Sequence, residues 1–161
     1  MMINDAFQCR LIFLKIVNEI RELLGYSLSN EEADHGDDLV MEMMYGGFDF
    51  SIVHSNIHVT QKLLLESDFG AVPPQLEQKI LLRLLAMNSA LAELDSSVFC
   101  IDADTGRLIY TLSLDLSEID GQQLLSKMTE VVWHGKRWLD TNFLGKAADS
   151  ETESINFAVL A

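Results

Sequence analysis

Residues 98–116, VFCIDADTGRLIYTLSLDL, contain the clearest secondary-structure pattern of this 161-residue chain. The segment DADTG at 102–106 combines Asp, Thr and Gly, residue types that tolerate the tight backbone of a turn. After it, apolar residues recur at every second position, and this period of two indicates a strand with one buried face. The stretch therefore predicts a β-hairpin whose buried series is Leu108, Tyr110, Leu112 and Leu114. The other face is expected to carry Ile109 and Thr111, with Phe99 or Ile101 across from them.

The composition predicts one folded domain with an acidic surface. Hydrophobic residues make up 48% of the chain, which suffices for a core at this length. Eleven Lys and Arg face 25 Asp and Glu, so the net charge is −14. This charge repels nucleic-acid phosphates and anionic lipid, and it favours neutral or basic protein partners. We therefore expect neither a nucleic-acid partner nor a membrane partner.

The cysteines and the N-terminal sequence predict a cytoplasmic protein, in which thiols remain reduced. Cys9 and Cys100 both lie in apolar segments, which indicates buried thiols rather than a disulfide framework. The first apolar run has no basic region before it, so no signal peptide is expected. No apolar run reaches the length of a membrane span.

The first helix is predicted from Asp5 to Leu24. Asp5 and Gln8 fit a capping box, and Gly25 follows the last apolar residue as a stop. One broad apolar arc suits packing on a sheet, but the helix also has a second apolar stripe on another side. The residues of this second stripe are Phe7, Leu11 and Leu14. They need a second surface to pack against, either within the monomer or on a partner.

Three strands are predicted next, as an antiparallel meander over 39–45, 48–54 and 57–65. Gly46 and Gly47 form a two-residue turn between the first two strands. The acidic segment 30–38 before them lacks the ligand spacing of a calcium-binding EF-hand, so we expect a solvated loop. Methionine is adaptable enough to fill a core or to accept varied partners, and the first strand contains Met41, Met43 and Met44.

Two further helices flank the hairpin. A break is predicted at 67–74, followed by a helix from Gln75 to Leu94 that is apolar on more than one side. Its second strip contains Leu81, Leu82, Leu85 and Ala86 and suits a helix–helix dimer contact. The last helix is predicted from a capping box at Asp120 to Phe143, with Trp133 alone on its polar side.

No pattern in the chain predicts catalysis, a cofactor or a metal. His54 and His58 flank a turn but have no carboxylate or thiol beside them, which makes a poor zinc site. Asp102 and Asp104 are spaced like paired carboxylates, but a turn requires Asp there for backbone reasons. Phosphate-binding, nucleophile-elbow and metalloprotease motifs are absent.

Two stretches carry a family resemblance: residues 81–116, LLRLLAMNSALAELDSSVFCIDADTGRLIYTLSLDL, and residues 120–138, DGQQLLSKMTEVVWHGKRW. Together they resemble the class I type III secretion chaperones, the Tir-chaperone-like family of bacterial pathogens and symbionts. The resemblance extends from Asp5 to Phe143. It implies one α+β domain of order α-β-β-β-α-β-β-α, with a twisted antiparallel sheet packed by helices, in a homodimer. Residues 144–161 are expected to form a flexible tail, acidic and then apolar.

The resemblance also implies a function. Such a homodimer holds the N-terminal chaperone-binding segment of a secreted effector extended and soluble, ready for the secretion ATPase, without nucleotide or catalysis. A free strand edge suits addition of an effector strand. The expected effector-binding residues are Phe7, Leu11, Leu14, Met41, Met43 and Ile109. The expected dimer residues are Leu81, Leu82, Leu85, Ala86 and Phe99.

A second hypothesis is a protein-binding regulatory module with the same fold and a client that is not secreted. Sequence separates these two hypotheses poorly, and identification of the client distinguishes them. A small enzyme is a third hypothesis, which the absence of a recognisable site disfavours.

Overall fold

The computed structural model describes residues 6–26, 38–55, 61–94 and 96–145. The predicted tail from residue 146 onward lies outside these ranges. The elements follow the predicted order, which confirms the α+β class. They are α1 (Ala6–Leu23), β1 (Leu39–Tyr45), β2 (Phe48–His54), β3 (Lys62–Ala71), a 3₁₀ turn (Pro74–Leu76), α2 (Glu77–Leu94), β4 (Ser97–Ile101), β5 (Arg107–Asp115) and α3 (Gly121–Thr141).

The strands form one antiparallel sheet in the order β1-β2-β3-β5-β4. The β4–β5 hairpin confirms the prediction from residues 98–116, and Leu108, Tyr110 and Leu112 face the core. The expectation for its other face is confirmed for Ile109 and Thr111, which do not lie on the covered face. It is wrong for Phe99 and Ile101, because they lie opposite Tyr110 and Leu108 and share the covered face. Val98 and Cys100 occupy the open face instead. Cys100 is therefore exposed, contrary to the prediction of two buried thiols, whereas Cys9 is buried.

Helices α1 and α3 pack together and supply much of the cover over the buried face of the sheet. Gly135 of α3 lies directly against the ring of Phe48, where an added Cβ would clash with the ring. Aromatic rings fill the core beneath the C-terminal half of α3. They are Phe69, Phe99, Tyr110, His134, Trp138 and Phe143.

The helix ends follow the predicted capping chemistry where the structure describes them. The Asp120 side chain accepts from the Gln123 N–H at 2.8 Å, and the Gln123 side chain accepts from the Asp120 N–H at 2.9 Å. Gly25 adopts φ +75° and ends α1, while the Tyr26 N–H donates to the Arg21 carbonyl at 2.7 Å. The capping residue predicted for α1, Asp5, lies outside the described residues.

Strand β3 runs later in the chain than predicted. The segment 67–71 was expected to be a break, but it continues the strand to Ala71. The Ser67 hydroxyl donates to the Asp49 carbonyl at 3.0 Å, which lets a polar residue occupy a buried strand position. The register shifts between Asp68 and Gly70, where Gly70 has φ +102°. This bulge explains the loop-like composition.

Candidate functional site

The sheet has one uncovered edge, formed by β1. Among the residues that the structure describes, no strand lies on the other side of β1. Gly46 and Gly47 have φ of +60° and +90°, as a type I′ turn requires, so Tyr45 and Phe48 form the hydrogen-bonded pair that closes the hairpin. Alternation from this pair directs the backbone N–H and C=O groups of Val40, Glu42 and Met44 away from β2.

The side chains of these three residues lie on the open face and are exposed to solvent. Val40 is 52% exposed and Met44 is 65% exposed, with the exposed Glu42 between them. A cavity of about 540 Å³ adjoins the same strand, between β1 and the end of α1. Its described lining residues are Arg21, Tyr26, Met41, Glu42, Met43 and Met44. Backbone hydrogen-bonding groups and apolar surface are therefore adjacent at this edge.

The predicted effector-binding residues differ in their exposure to solvent. Phe7 and Leu11 are exposed on α1, and Met43 and Ile109 are half-buried. The prediction is wrong for Leu14, which is buried in the monomer on the same side of α1 as the buried Arg10, one turn earlier. The prediction is also wrong for Met41 of β1, because strand alternation places its side chain on the covered face, opposite the buried Ile52.

The predicted dimer strip is largely exposed on the outer face of α2. Leu81, Leu82 and Leu85 are accessible, and Ala86 is half-buried. Phe99 is only 3% exposed, so the prediction that it lies in a dimer contact is wrong. Its ring packs in the core at 5.0 Å from the ring of Tyr110, measured between centroids. Val98 is the exposed apolar residue that β4 offers instead.

The opposite edge of the sheet, β4, is closed at its centre by a side chain. The Asn88 amide nitrogen donates to the Phe99 carbonyl at 2.8 Å, and the Phe99 N–H donates to the Asn88 Oδ1 at 2.8 Å. The amide of Asn88 thereby occupies the place of a neighbouring strand. The role of Asn88 was not predicted from the sequence. A polar side chain beside the buried strip of α2 indicates that it has a hydrogen-bond partner, but it does not identify that partner.

The DADTG turn is held by its first carboxylate. The Asp102 Oδ1 accepts from the Thr105 N–H at 2.8 Å and from the Asp104 N–H at 2.9 Å. These bonds, with that from Thr105 the largest contribution, lower the pKa of Asp102 below its usual value. The geometry confirms the interpretation of these residues as turn chemistry.

Metal-ligating side chains do not converge in the described residues. No group of three or more His, Cys, Asp or Glu is arranged to hold a metal ion within those ranges. His54 is buried, and His58 lies outside the described residues. The described helices include none long and apolar enough to cross a membrane. Trp133 is exposed on α3 as predicted, with the Arg137 guanidinium 4.9 Å from the centroid of its ring.

Comparison with known proteins identifies relatives of this architecture. The model of the Tir chaperone protein (CesT) family matches residues 47–139, more than half of the chain. No curated protein sequence matches significantly. Solved structures that are 13–16% identical share the fold.

Three of these structures illustrate the similarity. The ExsC–ExsE complex aligns with a TM-score of 0.60 at 13% identity, over 86% of this chain and 96% of the other. The HopA1–SchA chaperone–effector complex gives 0.59 at 14% identity, over 83% and 97%. The Yersinia pestis type III secretion chaperone SycH, in complex with a stable fragment of YscM2, gives 0.54 at 16%, over 77% and 97%.

Proposed function

The chain belongs to the Tir chaperone protein (CesT) family, and we propose that it is a type III secretion chaperone. It binds the N-terminal chaperone-binding segment of an effector protein and keeps that segment soluble, partly unfolded and competent for secretion. The observation that carries this proposal is the uncovered β1 edge beside a cavity lined mainly by apolar residues. It is supported by two solved complexes of the same fold, a chaperone–effector complex and a type III secretion chaperone with a bound protein fragment.

The β1 edge suits an extended client because it combines main-chain pairing with side-chain pockets. The backbone groups of Val40, Glu42 and Met44 are available to a client strand, which supplies affinity independent of sequence. The cavity beside Met43 and Tyr26 would accept apolar client side chains and supply selectivity. A client that stays extended loses conformational entropy on binding, so a long contact surface is needed to offset that cost.

A second contact for the client lies on α1 and on the open face of the sheet. Phe7 and Leu11 are exposed on α1, and Ile109 is partly accessible on β5. Exposed apolar residues on separate elements allow a client segment to continue beyond β1 and wrap around the domain. The acidic surface favours basic client residues along this path.

The chaperone acts as a homodimer in this proposal, with α2 at the interface. Leu82 and Leu85 project from the outer face of α2, and a second copy of that face would cover both. Val98 on β4 is a further exposed apolar residue on the neighbouring strand. A dimer would present two β1 edges to one client. We place the complex in the bacterial cytoplasm, where it delivers the effector to the secretion ATPase without a catalytic step of its own.

The experiment that tests this function is purification of the tagged chaperone from its source bacterium, followed by limited proteolysis of the complex. We expect one bound protein whose protected region is a single N-terminal segment. Deletion of the chaperone gene should abolish secretion of that protein and lower its level in the cell. A client that is never secreted would support the regulatory-module hypothesis instead, and a folded client bound through a globular surface would contradict the proposal.

A further inference from the structure

We propose that Glu42 selects a Lys or Arg at the centre of the client strand that pairs with β1. This inference rests on the proposed function, because it specifies the chemistry of the segment that the edge accepts. Glu42 is the middle one of the three residues that direct their backbone groups outward. A client strand in register with β1 would therefore place one residue directly opposite the Glu42 side chain, about 5 Å away between Cβ atoms.

The carboxylate of Glu42 is available for such a contact. Within the described part of the chain it forms no hydrogen bond and no ion pair. Its direct cross-strand neighbour on β2 is Ser51, a neutral residue that leaves the charge uncompensated. A client strand that covers the edge would partly desolvate this carboxylate, so a cation opposite it would be favoured over a neutral side chain.

The surroundings of Glu42 strengthen the preference for a cation. Glu66 lies on the same row, beyond Ser51, and Asp49 lies diagonally across from Glu42. Asp68 lies opposite Asp49, but its carboxylate is paired with Arg107 at 2.6 Å. Asp38, the residue immediately before β1, is a further acidic residue. Arg21 lines the same cavity as Glu42, but it has an interaction of its own. Because acidic groups outnumber this cation, the field at the β1 edge attracts positive charge.

The flanking residues define the rest of the client pattern. Val40 and Met44 lie on either side of Glu42 on the open face, so they favour apolar client residues two positions from the cation. Met43 lies on the other face of the strand and lines the cavity together with Glu42 and Met44, so it favours apolar client residues at the two positions adjacent to the cation. The occupant is thus a five-residue strand with Lys or Arg at its centre and apolar residues elsewhere. The chain's own apolar segment SINFAVLA, at 154–161, has no such cation.

A peptide library tests this inference without knowledge of the natural client. Displayed random nonapeptides would be selected on the wild-type protein, on Glu42→Gln and on Glu42→Lys. We expect Lys or Arg at one position between apolar neighbours for the wild type, no charge preference for Glu42→Gln, and Asp or Glu for Glu42→Lys. The control is Glu118→Lys, which changes the net charge equally on an exposed turn and should retain the wild-type preference.

Affinities of a selected peptide then give the size of the effect. Replacement of its central Lys by Gln should weaken binding to the wild type about two- to five-fold, and it should change binding to Glu42→Gln by less. Equal weakening on both proteins would overturn the role of Glu42. Selection of uniformly apolar peptides on all variants would also overturn it, and would leave the proposed function intact. Loss of the charge preference with Glu118→Lys would show that only net charge matters, which contradicts selection by Glu42.

A separate variant distinguishes failure of this inference from failure of the proposed function. Val40→Pro removes an outward backbone donor of β1 and should weaken every selected peptide. Peptides that bind Val40→Pro as well as the wild type do not use the β1 edge, and that result would contradict the client site itself. Melting curves of all variants establish that each one is folded.

Discussion

Both edges of the sheet have outward-pointing backbone N–H and C=O groups, but within the described residues these groups have a hydrogen-bond partner at the centre of β4 and no neighbouring strand at β1. At β4 the outward groups of Phe99 are bound by the side chain of Asn88, and α2 lies alongside. At β1 the corresponding groups of Val40, Glu42 and Met44 have no strand beside them in the described chain. An uncovered edge is a hazard that folded proteins usually block. In our proposal, this difference directs the client strand to the β1 edge.

The difference also separates the two partners that we propose. The closed edge, β4, lies beside the exposed leucines of α2, where a second copy of the chain would dock. The open edge lies beside the cavity lined by Met43 and Tyr26, where the client would dock. A client strand therefore need not compete with the dimer contact. Four substitutions follow, in order of decreasing expected effect.

The largest effect is expected at the outer face of α2. Leu85→Asp places a charge on a side chain that is 66% exposed in the monomer, so the monomer should fold and the dimer should be lost. Sedimentation velocity measures the change. Leu139→Asp is the matched control, because Leu139 is 65% exposed but lies on α3, and that variant should remain dimeric. If Leu85→Asp still forms a stable dimer, α2 does not form the interface.

The next effect is expected at the open edge. Val40→Pro removes an outward N–H and places a ring where the client backbone would lie, but it leaves the β1–β2 ladder intact. We expect roughly a hundredfold loss of client affinity, from the combined loss of a hydrogen bond and steric exclusion. Isothermal titration calorimetry with a client fragment measures it. Val40→Ala removes only the side chain and should cost far less, so equal losses would indicate that pairing of the backbone is unimportant.

A smaller effect is expected from opening the closed edge. Asn88→Ala removes both hydrogen bonds to Phe99 and should lower the free energy of unfolding by about 1–2 kcal/mol. Urea denaturation followed by circular dichroism measures the difference. Ser89→Ala is the control on the exposed side of the same helix and should change stability little. If the two variants are equally stable, Asn88 does not secure the edge.

The smallest effect is expected at the turn that joins β4 to β5. The pKa of Asp102 is lowered in the folded protein, so its ionised form stabilises the fold above the usual pKa of about 3.9. That contribution is lost as the pH falls through the lowered pKa. Asp102→Ala should therefore lower Tm by about 2 °C or less at pH 7, and the gap to the wild type should close in acid.

Asp104→Ala is the control for that measurement, since its side chain is exposed on the same turn. It should leave Tm nearly unchanged at every pH. A gap between Asp102→Ala and the wild type that persists unchanged in acid would mean that the carboxylate charge does not hold the turn.

Much of the sheet could be predicted from the sequence, because local patterns determine its hairpins. The period of two and the turn residues predicted the hairpin, and the Gly46–Gly47 turn predicted the pairing of β1 with β2. Alternation along β1 would also have separated the buried Met41 from its exposed neighbours. The prediction used the residue type rather than its position on the strand, and it therefore assigned Met41 to the client site.

Other features required the tertiary structure. The assignment of Phe99 to the open face failed because hairpin register depends on the length of the turn, and a shift of one residue reverses the two faces. Strand β3 was placed too early because Ser67 and Gly70 have loop-like composition, and the hydrogen bond and bulge that accommodate them are not visible in sequence. The contact of Asn88 with Phe99 joins a helix to a strand, and no local pattern specifies it.

Amide hydrogen exchange by NMR, with and without a client fragment, tests whether the client pairs with β1. We predict that binding protects the amides of Val40, Glu42 and Met44, which point outward from β1. The amide of Phe99, already bound to Asn88, should change little. New protection confined to β4, or an unchanged β1 edge in a saturated complex, would contradict the claim that this protein accepts its client at one edge of the sheet.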